Sequence, residues 1–213
     1  MLRYVYAEDL VHHPKLADGM FRDRASQFRD RLKWDVTVDA RGWETDEYDA
    51  LNPLYVIWQR PDGTHGGSMR FLPTTGRTMV NDHFLNLTDG VAIQSPFIWE
   101  CTRFCLAPDA DTRIAAGLMA GGGEIMRGFD ITHFVGVFDH RMTRVYRHIG
   151  SVPDVLGEGG EGRARIAVGL WHYDASDRKR VLDRAEVSSA MSEFWFRQSF
   201  DLPVPAAESA LSA

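Results

Sequence analysis

The stretch IWECTRFCLAP, residues 98–108, restricts the possible folds of this chain more than any other segment. Its aromatic and β-branched residues, closed by Ala107-Pro108, read as a strand, and a strand this apolar belongs inside a sheet. Yet it carries Glu100 and Arg103. Charges in a buried strand must be paired or put to use, because removing their hydration is costly. On a regular strand Glu100, Thr102 and Phe104 face one way, and Cys101, Arg103 and Cys105 the other. Glu100 and Arg103 can share one site only if the strand is irregular. A β-bulge or splay is therefore expected within residues 100–104.

Cys101 and Cys105 are the only cysteines. On one face of a strand they would lie about 13 Å apart, too far for a disulfide. Neither they nor the eight histidines show the spacing of a zinc site, so no metal is expected and the thiols read as buried.

The elements around this strand follow from periodicity and breakers. Leu2 to Tyr6 is a first strand. Residues 13–34 form an amphipathic helix with Leu16, Met20, Ala25, Phe28 and Leu32 on its apolar side. An acidic loop follows and ends at Asn52-Pro53. Residues 54–73 are two strands joined by Pro61-Asp62-Gly63, and residues 75–97 are loop with one short helix. After the central strand comes a helix over 109–130, in which Gly121-Gly122-Gly123 costs about 1 kcal/mol per glycine relative to alanine. Such a run implies a close approach or a break. A strand over 132–138 leads to a short helix closed by Gly150. Residues 163–174 form a long central strand, apolar on both faces, and 177–200 a last helix.

This order predicts an α/β fold: a single mixed twisted sheet flanked by helices, in one domain over residues 1–201, with 202–213 a flexible tail. At 213 residues and 44% hydrophobic content, the chain can bury one sizeable core. A net charge of −6 argues against binding nucleic acid or anionic membranes. The N-terminus lacks a basic-then-apolar leader and no apolar run approaches a membrane span, so a cytoplasmic protein is expected.

Beyond the central strand, further residues suit a site. They are Arg24, Phe28 and Trp34 in RASQFRDRLKW, Asp46 and Asp49 in DEYD, and Arg70 in MRFLPTT. With Trp99 to Phe104 they occur in an order and spacing that resembles the acyl-homoserine-lactone synthase family, the autoinducer synthases of bacterial quorum sensing. The match runs over residues 20–105, whereas the C-terminal half matches mainly in its pattern of elements.

The resemblance implies a fold like that of the GNAT acyltransferases. It also implies an enzyme that acylates the amine of S-adenosyl-L-methionine from an acyl thioester, then closes a lactone with loss of methylthioadenosine. S-adenosylmethionine is then a substrate, with no further cofactor. The acyl donor is acyl-carrier protein or acyl-CoA. In that chemistry Glu100 suits a general base, with Arg103, Asp46, Asp49 and Arg70 beside it. Phe28 and Trp34 offer aromatic faces to a sulfonium and an adenine, and Arg24 or Arg103 a fork for a carboxylate. Backbone N–H groups where the sheet is locally unpaired suit an oxyanion. An acyl tunnel would draw on Phe84, Thr102, Phe104, Val137, Phe138 and Met142, with Phe134, Val145 and Trp171 as further candidates. Relatives with a 3-oxo preference tend to carry a threonine near the end of the fifth strand. Gly136, Val137 and Phe138 stand there instead, which leans away from that preference. Arg141, Arg144 and Arg147, with Lys179 in a second basic cluster at 178–180, could dock an acidic carrier protein.

Two rivals remain open. A GNAT-type acetyltransferase would need a Gly-rich pyrophosphate loop after the central strand, where APDADTRIAAG stands. A non-catalytic sensor of S-adenosylmethionine or a thioester would keep the pocket without turnover.

Overall fold

A computed structural model describes residues 1–203, apart from the side chain of Arg163. Seven strands form one sheet: β1 Leu2–Tyr6, β2 Leu54–Gln59, β3 His65–Pro73, β4 Ile98–Leu106, β5 His133–Asp139, β6 Asp154–Gly159 and β7 Ile166–His172. Their spatial order is β1-β2-β3-β4-β5-β7-β6. Only the β4–β5 pairing is parallel. Six α-helices connect and cover them: α1 Pro14–Ala25, α2 Met79–His83, α3 Thr112–Gly128, α4 Met142–Ile149, α5 Ala175–Ala185 and α6 Ser189–Ser199.

The pleat sorts the strands between two layers. Val5, Tyr55 and Ile57 face α1 and pack on Leu16, Met20 and Phe21. Leu2, Val56, Met69 and Phe134 face the other way, onto Leu118 and Ile125 of α3 and Phe196 of α6. The glycine run does not break α3. Gly121 of the run, with Gly117 one turn earlier, lets the helix sit close to the sheet: a Cβ at Gly121 would lie 2.7 Å from Val56 Cγ1, and one at Gly117 2.4 Å from the Trp58 ring.

Four expectations need correction. The edge strand β6 was not anticipated, because VLGEG is glycine-rich and largely exposed, so no alternation marks it. β7 does lie inside the sheet, between β5 and β6, but is shorter than expected. The last helix is two helices, because Glu186 takes a left-handed conformation that caps α5 and Ser188 then caps α6 through Met191 N. The helix over 13–34 stops being α-helical at Ala25 and widens into a π-type segment over Ser26–Arg31. The expected tail lies almost wholly outside the described residues.

β4 is irregular where required. Its pairing with β3 runs Arg70↔Thr102 and then Ser68↔Cys105, so β4 spends one more residue than its partner. The extra residue falls beside Arg103, whose φ is +53°, a β-bulge. It changes the parity of the strand. Cys101 packs against Met69 on the α3 side, whereas Cys105 lies among Asp23, Arg24 and Glu44 on the α1 side. The two thiols therefore face opposite ways, and Phe104, in the α3-side clusters, no longer shares a face with Thr102. β4 pairs with β5 only from Ile98 to Glu100. Beyond that the two strands diverge and leave a fork in the sheet.

Candidate functional site

On the α1 side of the fork three arginines and three carboxylates close a ring. Arg24 donates from Nε to Glu44 Oε2 at 2.6 Å, and from its other two nitrogens to both oxygens of Asp49 at 2.9 and 2.8 Å. Arg70 donates to Asp49 at 2.8 Å and grips Asp46, one bond being 2.9 Å. Arg103 closes the circuit, bridging Asp46 at 2.7 Å and Glu44 at 3.0 Å. Such forked contacts fix geometry as well as charge. Asp46 also caps the 3₁₀ turn Glu47–Leu51 by accepting from Tyr48 N and Asp49 N, and Asp49 answers at Asp46 N. Tyr55 donates its hydroxyl to Asp49 at 2.5 Å.

The electrostatics follow from this pairing. Against the cost of burial, Arg70 and Arg103 hold the Asp46 carboxyl below its ordinary range. Against the same cost, Arg24 and Arg70 hold Asp49 further below. Each charge in the ring is matched, so it can stay ionised while almost wholly withdrawn from water.

Glu100 stands apart. It is 1% exposed, and its carboxylate accepts from Met79 N at 2.9 Å and Val80 N at 2.6 Å, the first turn of α2. Burial raises its pKa, against the opposing effect of these two donors. The π-type segment places Phe28 where Trp34 stacks on it, centroids 5.2 Å apart and planes within 6°. The Arg103 guanidinium lies 5.4 Å from the Phe28 ring centre.

A cavity of about 750 Å³ runs from this aromatic pair through the fork to the α3 side. Phe28, Trp34, Arg103, Met79 and Phe84 line its first part; Phe104, Phe138, Met142, Val145 and Trp171 line the part beyond the sheet. Thr102 and Val137 also border it. Thr102 accepts from Arg70 Nε at 3.0 Å, which ties the cavity wall to the ring. All the tunnel candidates named from the sequence thus meet one cavity. Arg24, Asp46, Asp49, Arg70 and Glu100 do not border it and stand behind its wall. Of the two arginines offered for a carboxylate, Arg24 is fully buried and spent on Glu44 and Asp49. Arg103 is the one at the wall.

Glu44 was missed in the sequence. It is fully buried and holds two of the three arginines. Counting charge would have found it: three arginines had only Asp46 and Asp49 beside them once Glu100 is bound elsewhere. Tyr55 and Met79 carried no such signal.

The basic candidates on α4 are exposed. Arg141 pairs with Asp139, and Lys179 with Asp183 at 2.8 Å. Among the described residues, Arg144 and Arg147 have no ion-pair partner. The 178–180 cluster is smaller than it reads, because Arg178 turns inward to Glu124 at 2.5 Å. Among the described residues no cluster of His, Cys, Asp and Glu could hold a metal, and no helix is long and apolar enough to cross a membrane.

Comparison with known proteins agrees with this geometry. The family model described as autoinducer synthase matches residues 7–181. An acyl-homoserine-lactone synthase from Rhizobium etli is 40% identical over 200 residues, covering 91% of this chain and 93% of that protein. The solved structure of the synthase LasI superposes at a TM-score of 0.74 with 27% identity, covering 86% of this chain and 94% of that one. BjaI, a CoA-dependent synthase solved with SAM and isopentyl-CoA, superposes at 0.78 with 21% identity, covering 89% and 90%, which bears on fold alone. A family match over most of the chain, and a relative this similar across nearly its whole length, have one meaning: the chain belongs to the autoinducer synthases, the acyl-homoserine-lactone synthase family.

Proposed function

We propose that this chain joins an acyl thioester to S-adenosyl-L-methionine across the fork between β4 and β5 and then forms the lactone. The observation that carries the reading is the continuous cavity, with the aromatic pair and Arg103 on one side of the sheet and, on the other, an inner wall of Phe104, Phe138, Met142, Val145 and Trp171 that gives way to Asp139, Arg141, Asp174 and Arg178. S-adenosylmethionine belongs on the Phe28–Trp34 side, where ring faces suit its cationic sulfur and adenine. Its carboxylate belongs with Arg103, and the acyl chain lies in the apolar part.

The amine must lose a proton before its nitrogen attacks the thioester carbonyl. Glu100 suits that role through a bridging water, because it is the carboxylate whose pKa is raised and its neighbours Met79 and Thr102 border the cavity. Asp46 and Asp49, held ionised by arginine, are poor bases and keep the Arg70–Thr102 wall and Arg103 in place. Beyond Glu100 the β4 and β5 backbones are unpaired with each other, which leaves amide groups for an oxyanion. As the carbon–sulfur bond of the thioester breaks, the thiolate takes up a proton and an amide remains. The carboxylate oxygen then attacks the γ-carbon next to the sulfonium. That carbon–sulfur bond breaks, and methylthioadenosine leaves as the lactone closes.

The acyl donor is acyl-carrier protein or acyl-CoA. Arg144 and Arg147, with the locally paired Arg141 and Lys179, offer positive charge to an acidic carrier or to the phosphates of CoA. Incubation with S-adenosylmethionine and each donor class, followed by mass spectrometry, should yield acyl-homoserine lactone and methylthioadenosine together. Absence of both products with both donors would sink the reading.

A further inference from the structure

Tyr146 lies in the part of the cavity beyond the sheet and is 6% exposed. Its ring is fixed edge-on between Phe138, at 5.3 Å, and Trp171, at 5.1 Å. Its backbone carbonyl accepts from Gly150 N at 2.8 Å and Ser151 N at 3.1 Å, which anchors the end of α4. The side chain therefore has little freedom. Its hydroxyl has no hydrogen-bond partner among the described residues, although nearly all of the residue is withdrawn from water. The oxygen is not sealed into the wall but open to the cavity, where a bound ligand can supply the acceptor it lacks.

Beside it, the Trp171 indole is already engaged, since Nε1 donates to Ser151 O at 3.3 Å. Cys101, Phe134, Phe138 and Met142 make the rest of this wall apolar. Burial keeps the phenol protonated, and the neighbouring Cys101 adds to that effect, so it acts as a donor. Cys101 directly follows Glu100, the last β4 residue paired with β5. The hydroxyl thus stands near the fork, where a thioester carbonyl would sit, and just inside the acyl tunnel. The third carbon of an acyl chain lies two bonds inward of that carbonyl.

We propose that Tyr146 selects acyl donors that carry an oxygen on the third carbon, by donating its hydroxyl proton to that oxygen. The assignment rests on the acyl-transfer reading above. It also changes an expectation drawn from β5. Gly136, Val137 and Phe138 supply no hydroxyl, whereas Tyr146 on α4 brings one to the same cavity. A carbonyl or a hydroxyl at that carbon could accept the bond, so 3-oxo and 3-hydroxy donors are separate arms of the test.

The test is a competition among octanoyl, 3-oxooctanoyl and 3-hydroxyoctanoyl thioesters, offered together on carrier protein or CoA, with product ratios read by mass spectrometry. The wild-type chain should favour at least one oxygenated donor over octanoyl, and Tyr146→Phe should cut that preference about tenfold. A wild type without preference overturns the proposal, and needs no variant to fold. So does a Tyr146→Phe ratio within twofold of wild type, even if overall turnover falls, because a proton donor to the leaving thiolate would slow all donors alike. Product from no donor at all overturns both the acyl-transfer reading and this assignment.

Discussion

At the scale of single residues, the ring is held by pairing rather than by apolar packing, and Glu44 has the most at stake. It is buried without exposure and serves Arg24 and Arg103 at once. Glu44→Gln keeps the shape but removes the charge, leaving two guanidiniums short of a counter-ion in a dry place. Breaking a buried pair from one side costs about 3–5 kcal/mol, so urea denaturation should lose a large share of the chain's stability. A loss below about 1 kcal/mol would mean that water reaches the ring and shields it. Arg103 is the ring member at the cavity wall, so the same variant should raise KM for S-adenosylmethionine more than it lowers kcat.

At the scale of elements, the site depends on two strands that start as neighbours and then part. Just past the last paired residues, Gly136 still lies close against β4: a Cβ there would lie 2.7 Å from the Cys101 carbonyl oxygen. Backbone cannot yield as a side-chain tip can. Gly136→Ala should therefore push β4 and β5 apart, cost about 1–3 kcal/mol by overpacking, and reduce acyl transfer more than S-adenosylmethionine binding. Calorimetric binding beside turnover measures this, and a fully active, equally stable Gly136→Ala would refute the tight fork. The irregularity itself was legible in the sequence. Glu100 and Arg103 could not both face one site on a regular pleat, and the bulge at Arg103 resolves that conflict. The face of Phe104 was not legible, because parity beyond a bulge depends on where the extra residue falls. Nor was the role of Arg24, since the same arginine could have met a substrate or, as it does, Glu44 and Asp49. β6 was missed for a plainer reason: an exposed, glycine-rich edge strand buries too little to leave a pattern.

At the scale of the whole molecule, acid should act on chemistry and on stability at different pH. Glu100 has a raised pKa, driven by its burial. A base must be deprotonated, so kcat/KM should fall as pH drops through that raised value. The same shift stabilises the fold below the ordinary glutamate range and is lost as pH rises through the folded value. Asp46 and Asp49 shift the other way, held down by arginine against burial. Their stabilisation is present above the ordinary aspartate range and disappears only as pH falls through the depressed folded values. On acidification, turnover should therefore fail while the protein is still folded, and unfolding should follow at distinctly lower pH. A pH–rate profile beside thermal melts at the same pH values separates the two. If loss of turnover coincided with unfolding, Glu100 would not be the limiting base. An acid limb that persisted unchanged in Glu100→Gln would assign that proton to another group.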